Sequence, residues 1–134
     1  MNVLSICNFS APPVIIKPEK TTIIGDRSGT VELKCPAIGN PKPIITWHKN
    51  RRQIAIDGTK FVQRNTGALV ISSLLPLDSG TYLCTAKNPT GQDVLILTLY
   101  VYSESLTMYQ GAQGHGKEYH HLSIKTEKRQ FLLL

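Results

Sequence analysis

An all-β fold, either a sandwich or a barrel, is what the sequence predicts for residues 12–102, on two observations. Short runs rich in β-branched and aromatic residues recur between turn signals about every 8 to 12 residues. Within these runs apolar and polar residues alternate, and no 3.6-residue apolar period competes with that alternation.

Each element follows in order. "VIIKP" and "TTII" are the first two β-type runs, and "GDRSG" after them is a turn by composition. "TVELKC" alternates, with Val31, Leu33 and Cys35 on one face and Glu32 and Lys34 on the other. "GNPKP" is expected to stop a strand, because its two prolines lack donors and fix φ. "IITWHK" resumes with Ile45 and Trp47 in register, "NRRQ" is a turn and "IAI" a short strand. "DGTKFVQRNTG" holds another strand between turns, and "ALVISSL" alternates with Leu69 and Ile71 on one face. "GTYLCTAKN" points Tyr82, Cys84 and Ala86 inward and Leu83, Thr85 and Lys87 outward. "NPTG" is a hairpin turn before the long β-rich run "VLILTLYVY". Residues 1–11 read as an unstructured leader, and residues 103–134 as a disordered tail with a short strand at "HLSIK".

The 134 residues suit one domain of ordinary size plus flanking sequence. The net charge is +6, and residues 11–102 carry +5 of it, from eleven Lys and Arg against six acids. The balance is mildly basic, and without a recognition motif or aromatic platform it does not indicate nucleic acid. No apolar stretch is long enough for a transmembrane helix. "MNVLSICNFSAPP" has no basic n-region and Asn8 interrupts its apolar run, so no export signal is visible. The chain is therefore expected to be a fragment of a longer product, a cytosolic chain being the alternative. The odd count of cysteines, Cys7, Cys35 and Cys84, leaves one thiol over. No Cys/His spacing suits zinc, so neither a structural metal nor a cofactor is expected.

Trp47 lies twelve residues after Cys35, and "DSGTYLC" places Tyr82 two residues before Cys84. This Cys…Trp…Tyr-x-Cys set resembles the signature of the immunoglobulin sandwich. "GNPKPIITWHKN", "ALVISSLLPLDSGTYLCTAKNPTG" and a single short strand after "NRR" are similar to the intermediate, I-set type. "CTAKNPTG" is similar to immunoglobulin repeats of large secreted leucine-rich-repeat matrix proteins of the matrix-remodelling type. The resemblance implies a sandwich of two antiparallel sheets over residues 12–102. It implies a Cys35–Cys84 disulfide joining the sheets, Trp47 packed on it, and a Tyr82 hydroxyl bonded to the corner. Asp78 and Gly80 fit the turn before that strand. Reduced core cysteines, as in intracellular muscle domains of the titin type, are the alternative.

No nucleophile-elbow or comparable signature points to an enzyme, and His115, His120 and His121 in the tail read as solvated. The cluster His48, Lys49, Arg51 and Arg52 could hold a sulfated glycosaminoglycan such as heparan sulfate through charge-assisted contacts, or be a solvated turn. Along the last strand Val94, Ile96, Thr98 and Tyr100 take the outward parity. With Ile44 and Leu83 from neighbouring strands, Ile96 and Tyr100 make an outer face more apolar than solubility requires. That face is expected either to bind protein, in adhesion, homophilically or through a neighbouring immunoglobulin domain, or to be a set of scattered surface apolars covered by the tail. Asn8, in Asn8-Phe9-Ser10, is the usable glycosylation acceptor, because Pro89 blocks the sequon at Asn88. The function expected is a non-catalytic extracellular interaction or adhesion module. A glycosaminoglycan-binding module and an intracellular spacer are the alternatives.

Overall fold

The computed structural model describes residues 9–102. Cys7, Asn8, the remainder of the leader before Phe9 and the expected tail all lie outside the described residues. Ten strands form the fold: β1 (Ala11–Ile15), β2 (Thr22–Asp26), β3 (Val31–Leu33), β4 (Ala37–Asn40), β5 (Ile44–Lys49), β6 (Arg52–Gln53), β7 (Phe61–Gln63), β8 (Leu69–Ile71), β9 (Gly80–Asn88) and β10 (Gly91–Tyr102). One layer is a five-stranded sheet in the order β2-β10-β9-β5-β6, where only the β2–β10 pair is parallel. Facing it are the antiparallel pair β1-β4 and the antiparallel trio β3-β8-β7. β3 and β4 belong to one run of chain, interrupted where Pro36 cannot donate to a ladder. The Ile16 N–H still bonds the Pro36 carbonyl at 2.8 Å across that gap. The fold is the expected all-β sandwich.

Strand parity decides what fills the space between the layers. Leu95, Leu97, Leu99 and Val101 alternate along β10 into the core, and Tyr82, Cys84 and Ala86 do the same along β9. Leu33, Leu69 and Ile71 come from the opposite sheet. Cys35 and Cys84 are joined across the core, 49 residues apart in the chain. Closing a loop of that length stabilises the fold by about 4 kcal/mol in the chain-entropy treatment. Trp47 stands opposite Cys84 in the β5–β9 ladder, and its indole N–H donates to the Gly67 carbonyl at 2.8 Å. Gly67 has φ +90°, and a Cβ there would come within 2.7 Å of Ile45. The site under the indole therefore needs glycine.

The corner encoded by "DSGTYLC" is a closed polar network. Pro76–Asp78 forms a 3-10 turn, and the Tyr82 hydroxyl donates to the Asp78 carbonyl at 2.6 Å. Burial pushes the Tyr82 phenol well above its ordinary pKa, with the Asp78 charge adding to the shift. The buried Asp78 carboxylate accepts from the Leu75 N–H at 2.8 Å and from Lys60 Nζ at 2.6 Å. Asn88 ties the other end together: its Nδ2 donates to the carbonyls of Ala11 and Pro41, while its Oδ1 accepts from Thr90. Asp93 pins β1 to β10 by accepting from the Ile15 N–H and from Lys17 Nζ. Those two donors hold its carboxyl below the ordinary carboxylate pKa.

Ala11, expected in the unstructured leader, already belongs to β1 because it pairs with Asn40, and β1 ends at Ile15 rather than running through "VIIKP". Four further local expectations are corrected. "IAI" is not a strand; Ile54 continues from β6 through its N–H to the Trp47 carbonyl and packs against the core. In "NRRQ" only Asn50 and Arg51 make the turn, both with positive φ, and Arg52–Gln53 is already β6. Gly39 and Asn40 complete β4 rather than break it, and the stop comes at the cis Asn40–Pro41 bond. Gly25 and Asp26 complete β2 instead of opening a turn, because the parallel ladder to β10 supplies their partners. All four concern backbone pairing, which composition alone does not specify.

Candidate interaction face

The outer face of the five-stranded sheet is built from rows of side chains across adjacent strands. Ile44 stands beside Lys87, Thr46 beside Thr85 and His48 beside Leu83. The rows continue onto β10, with Thr85 opposite Val94, Leu83 opposite Ile96 and Thr81 opposite Thr98. The strand order thus brings Ile44, Leu83, Ile96 and Tyr100 onto one surface. Ile44 is 71% exposed and Ile96 55%, while Leu83 and Tyr100 are half-buried. Ile24, 52% exposed, extends the face beside Tyr100. Sequence reasoning missed Ile24 because "TTII" places two isoleucines side by side and leaves the parity open. The parallel pairing to β10 decides it.

A shallow groove of about 530 Å³ opens on this face, lined by His48, Asn50, Arg51, Thr81, Leu83 and Ile96. His48 Nδ1 is buried at the groove and has no hydrogen-bond partner among the described residues. Threonine and aliphatic side chains make up most of the rest of this surface, with Lys87 beside Ile44 and Arg51 at the groove.

The basic cluster does not converge on one surface. His48 and Lys49 are consecutive on β5 and so point to opposite faces. Lys49 Nζ donates to the Leu77 carbonyl at 2.8 Å and lies 5.2 Å from the centre of the Tyr82 ring. Burial pulls the Lys49 pKa below its ordinary value, opposed by the nearby Asp78 charge. Gly80, with φ +142°, clears room for this lysine, since a Cβ there would lie 3.2 Å from Lys49 Cε. Arg51 lines the groove, and Arg52 is exposed on β6.

A family profile described as the immunoglobulin domain matches residues 12–88. The chain belongs to the immunoglobulin family. It is similar to hemicentin-1 of Homo sapiens, 36% identical over 96 residues, an alignment covering 70% of this chain and 2% of that protein. It is also similar to cell adhesion molecule DSCAML1 of Gallus gallus, 43% identical over 75 residues, covering 53% of this chain and 4% of that one. Among solved structures, immunoglobulin domains 1–4 of sidekick-1 superpose with a TM-score of 0.65 at 27% identity. That match covers 70% of this chain and 25% of the solved one. The chain therefore spans only a few per cent of the length of these curated relatives. Its relatives are adhesion and matrix immunoglobulin proteins, and among the described residues no helix is long and apolar enough to cross a membrane.

Proposed function

We propose that this domain is a non-catalytic extracellular interaction module that engages protein through the outer face of β5, β9 and β10. The observation that carries the reading is the apolar surface of Ile44, Leu83, Ile96 and Tyr100, which neither the core nor solubility requires. The kinship with a cell adhesion molecule and the inter-sheet disulfide, which persists in oxidising compartments, support it. Heparan sulfate binding is the lesser reading, because Lys49 is committed to Leu77 and Tyr82 and leaves His48, Arg51 and Arg52 to hold the sulfates.

The test is binding of the labelled full chain to intact cells and to extracellular matrix. Ile96→Lys with Tyr100→Lys is expected to abolish binding, while Arg51→Ala with Arg52→Ala leaves it intact. The opposite pattern, with loss of salt-dependent heparin retention in the arginine variant, would transfer the function to the glycosaminoglycan reading. Free thiols at Cys35 and Cys84 in protein taken from tissue would instead favour an intracellular spacer.

A further inference from the structure

We propose that the opposite layer carries a second binding site, a groove at the junction of β3 and β4 that holds an extended acidic segment of another protein. An apolar side chain of that segment enters the groove, and its carboxylates meet Lys20 and Lys34. This site is separate from the outer face of β5, β9 and β10 and stands without it.

The groove follows from a change of layer. β1 pairs with β4, but the chain then crosses over, and β2 pairs with β10 in the other sheet. β3 is left as the edge of its trio, paired only with β8 among the described residues. A notch of about 370 Å³ opens there, bordered by Glu32 and Lys34. Its walls are apolar: Ile16 and Pro18 from the crossing, Pro36 from the junction, and Ile23 and Leu97 from the other layer. A second depression of about 510 Å³ shares Glu32, Lys34 and Pro36 with the first and reaches Arg64, Thr66 and Ala68. Together they make one track across the junction. It runs over two strand spacings, about 10 Å, which three or four extended residues cover.

Charge and apolar surface select the occupant. Lys17, Lys20, Lys34 and Arg64 line the track against one acid, Glu32, while Glu19 lines neither depression. Lys17 is engaged by Asp93 and the Val94 carbonyl, and Arg64 neutralises Glu32 at 2.7 Å. The charge left over is that of Lys20 and Lys34, both exposed and without an ionic partner among the described residues. Carboxylates of the occupant would gain charge-assisted hydrogen bonds from these two lysines. Beside them the outer surface of β1 and β4 presents Val14 and Ile38, opposite each other in register, and next to Val14 on the same parity comes Ile16. All three are more than half exposed. A sulfated polysaccharide would use the lysines and gain nothing from this apolar surface. A peptide of mixed acidic and apolar residues uses both, which favours it as the occupant. The contact is small and therefore weak.

The test is fluorescence anisotropy of a fluorescein-labelled octapeptide of alternating Glu and Leu, titrated with the full chain at fixed salt. Saturable binding is expected, and Lys20→Glu with Lys34→Glu should weaken it at least about tenfold. Arg51→Glu with Arg52→Glu makes the same change in net charge on the other layer and should leave the affinity within about twofold. An octapeptide of alternating Glu and Ser should bind at least about tenfold more weakly, because it has no apolar side chain for the notch. No binding at millimolar chain would overturn the proposal. So would an equal loss in the arginine variant, which would reduce the effect to net charge, or equal binding of the Glu and Ser peptide. Loss of the octapeptide in Ile96→Lys with Tyr100→Lys would place it on the other face and also overturn the site. If a heparin oligosaccharide binds through Lys20 and Lys34 while the octapeptide does not bind, the groove takes a sulfated glycan and the peptide proposal is wrong.

Discussion

The two sides of strands β5, β9 and β10 carry apolar residues for different reasons. On the inner side Trp47, Tyr82, Cys84, Leu97 and Leu99 are almost wholly buried, and the indole N–H and the phenol O–H each reach a backbone carbonyl. On the outer side Ile44, Ile96 and Val94 face solvent beside a row of threonines. The same alternation produces both sides, yet only the inner one is required for folding. Apolar side chains that folding does not need are free to serve contact with another molecule, which is why the outer side marks the candidate site.

Substitutions can sharpen or break this contrast. The largest effect is expected from Trp47→Ala, which empties the centre of the core and removes the bond to Gly67; we expect a loss of about 3–5 kcal/mol, measured by urea denaturation. A loss below about 1 kcal/mol would mean that the inner side is less tightly packed than the burial of Trp47 implies. Tyr82→Phe is smaller, because it keeps the ring and removes only the donor to the Asp78 carbonyl. About 1–3 kcal/mol is expected for a buried acceptor left without its partner. Ile96→Lys should change stability by no more than about 0.5 kcal/mol, since Ile96 is exposed over more than half of its surface and lies outside the core. A large destabilisation there would show that the outer side belongs to the fold, and the contrast would fail.

Much of the fold was legible because its determinants are local or periodic. The alternation through "GTYLCTAKN" and "VLILTLYVY" assigned Tyr82, Cys84, Leu95, Leu97, Leu99 and Val101 to the interior, where they are found. The hairpin at "NPTG" followed from turn chemistry, with Asn88 pairing Gly91. The Cys35–Cys84 bridge and the tyrosine corner followed from the family resemblance and are present. The errors at "IAI", "NRRQ", "GNPKP" and "GDRSG" share one cause: composition marks where a chain can turn, but a ladder partner decides where it does.

In the alternating runs the sequence by itself determined which residues face the core, because successive side chains of a strand point to opposite faces; "TTII", which does not alternate, left it open. Only the tertiary structure decided which outward residues meet. It brought Ile24 beside Tyr100, set Ile44 four residues from the groove at Leu83, and removed Lys49 from the basic cluster to lie against Tyr82. Each of these depends on register between strands far apart in the chain. A shift of one residue would exchange every inward and outward side chain, and it is the burial of the inner face that forbids the shift.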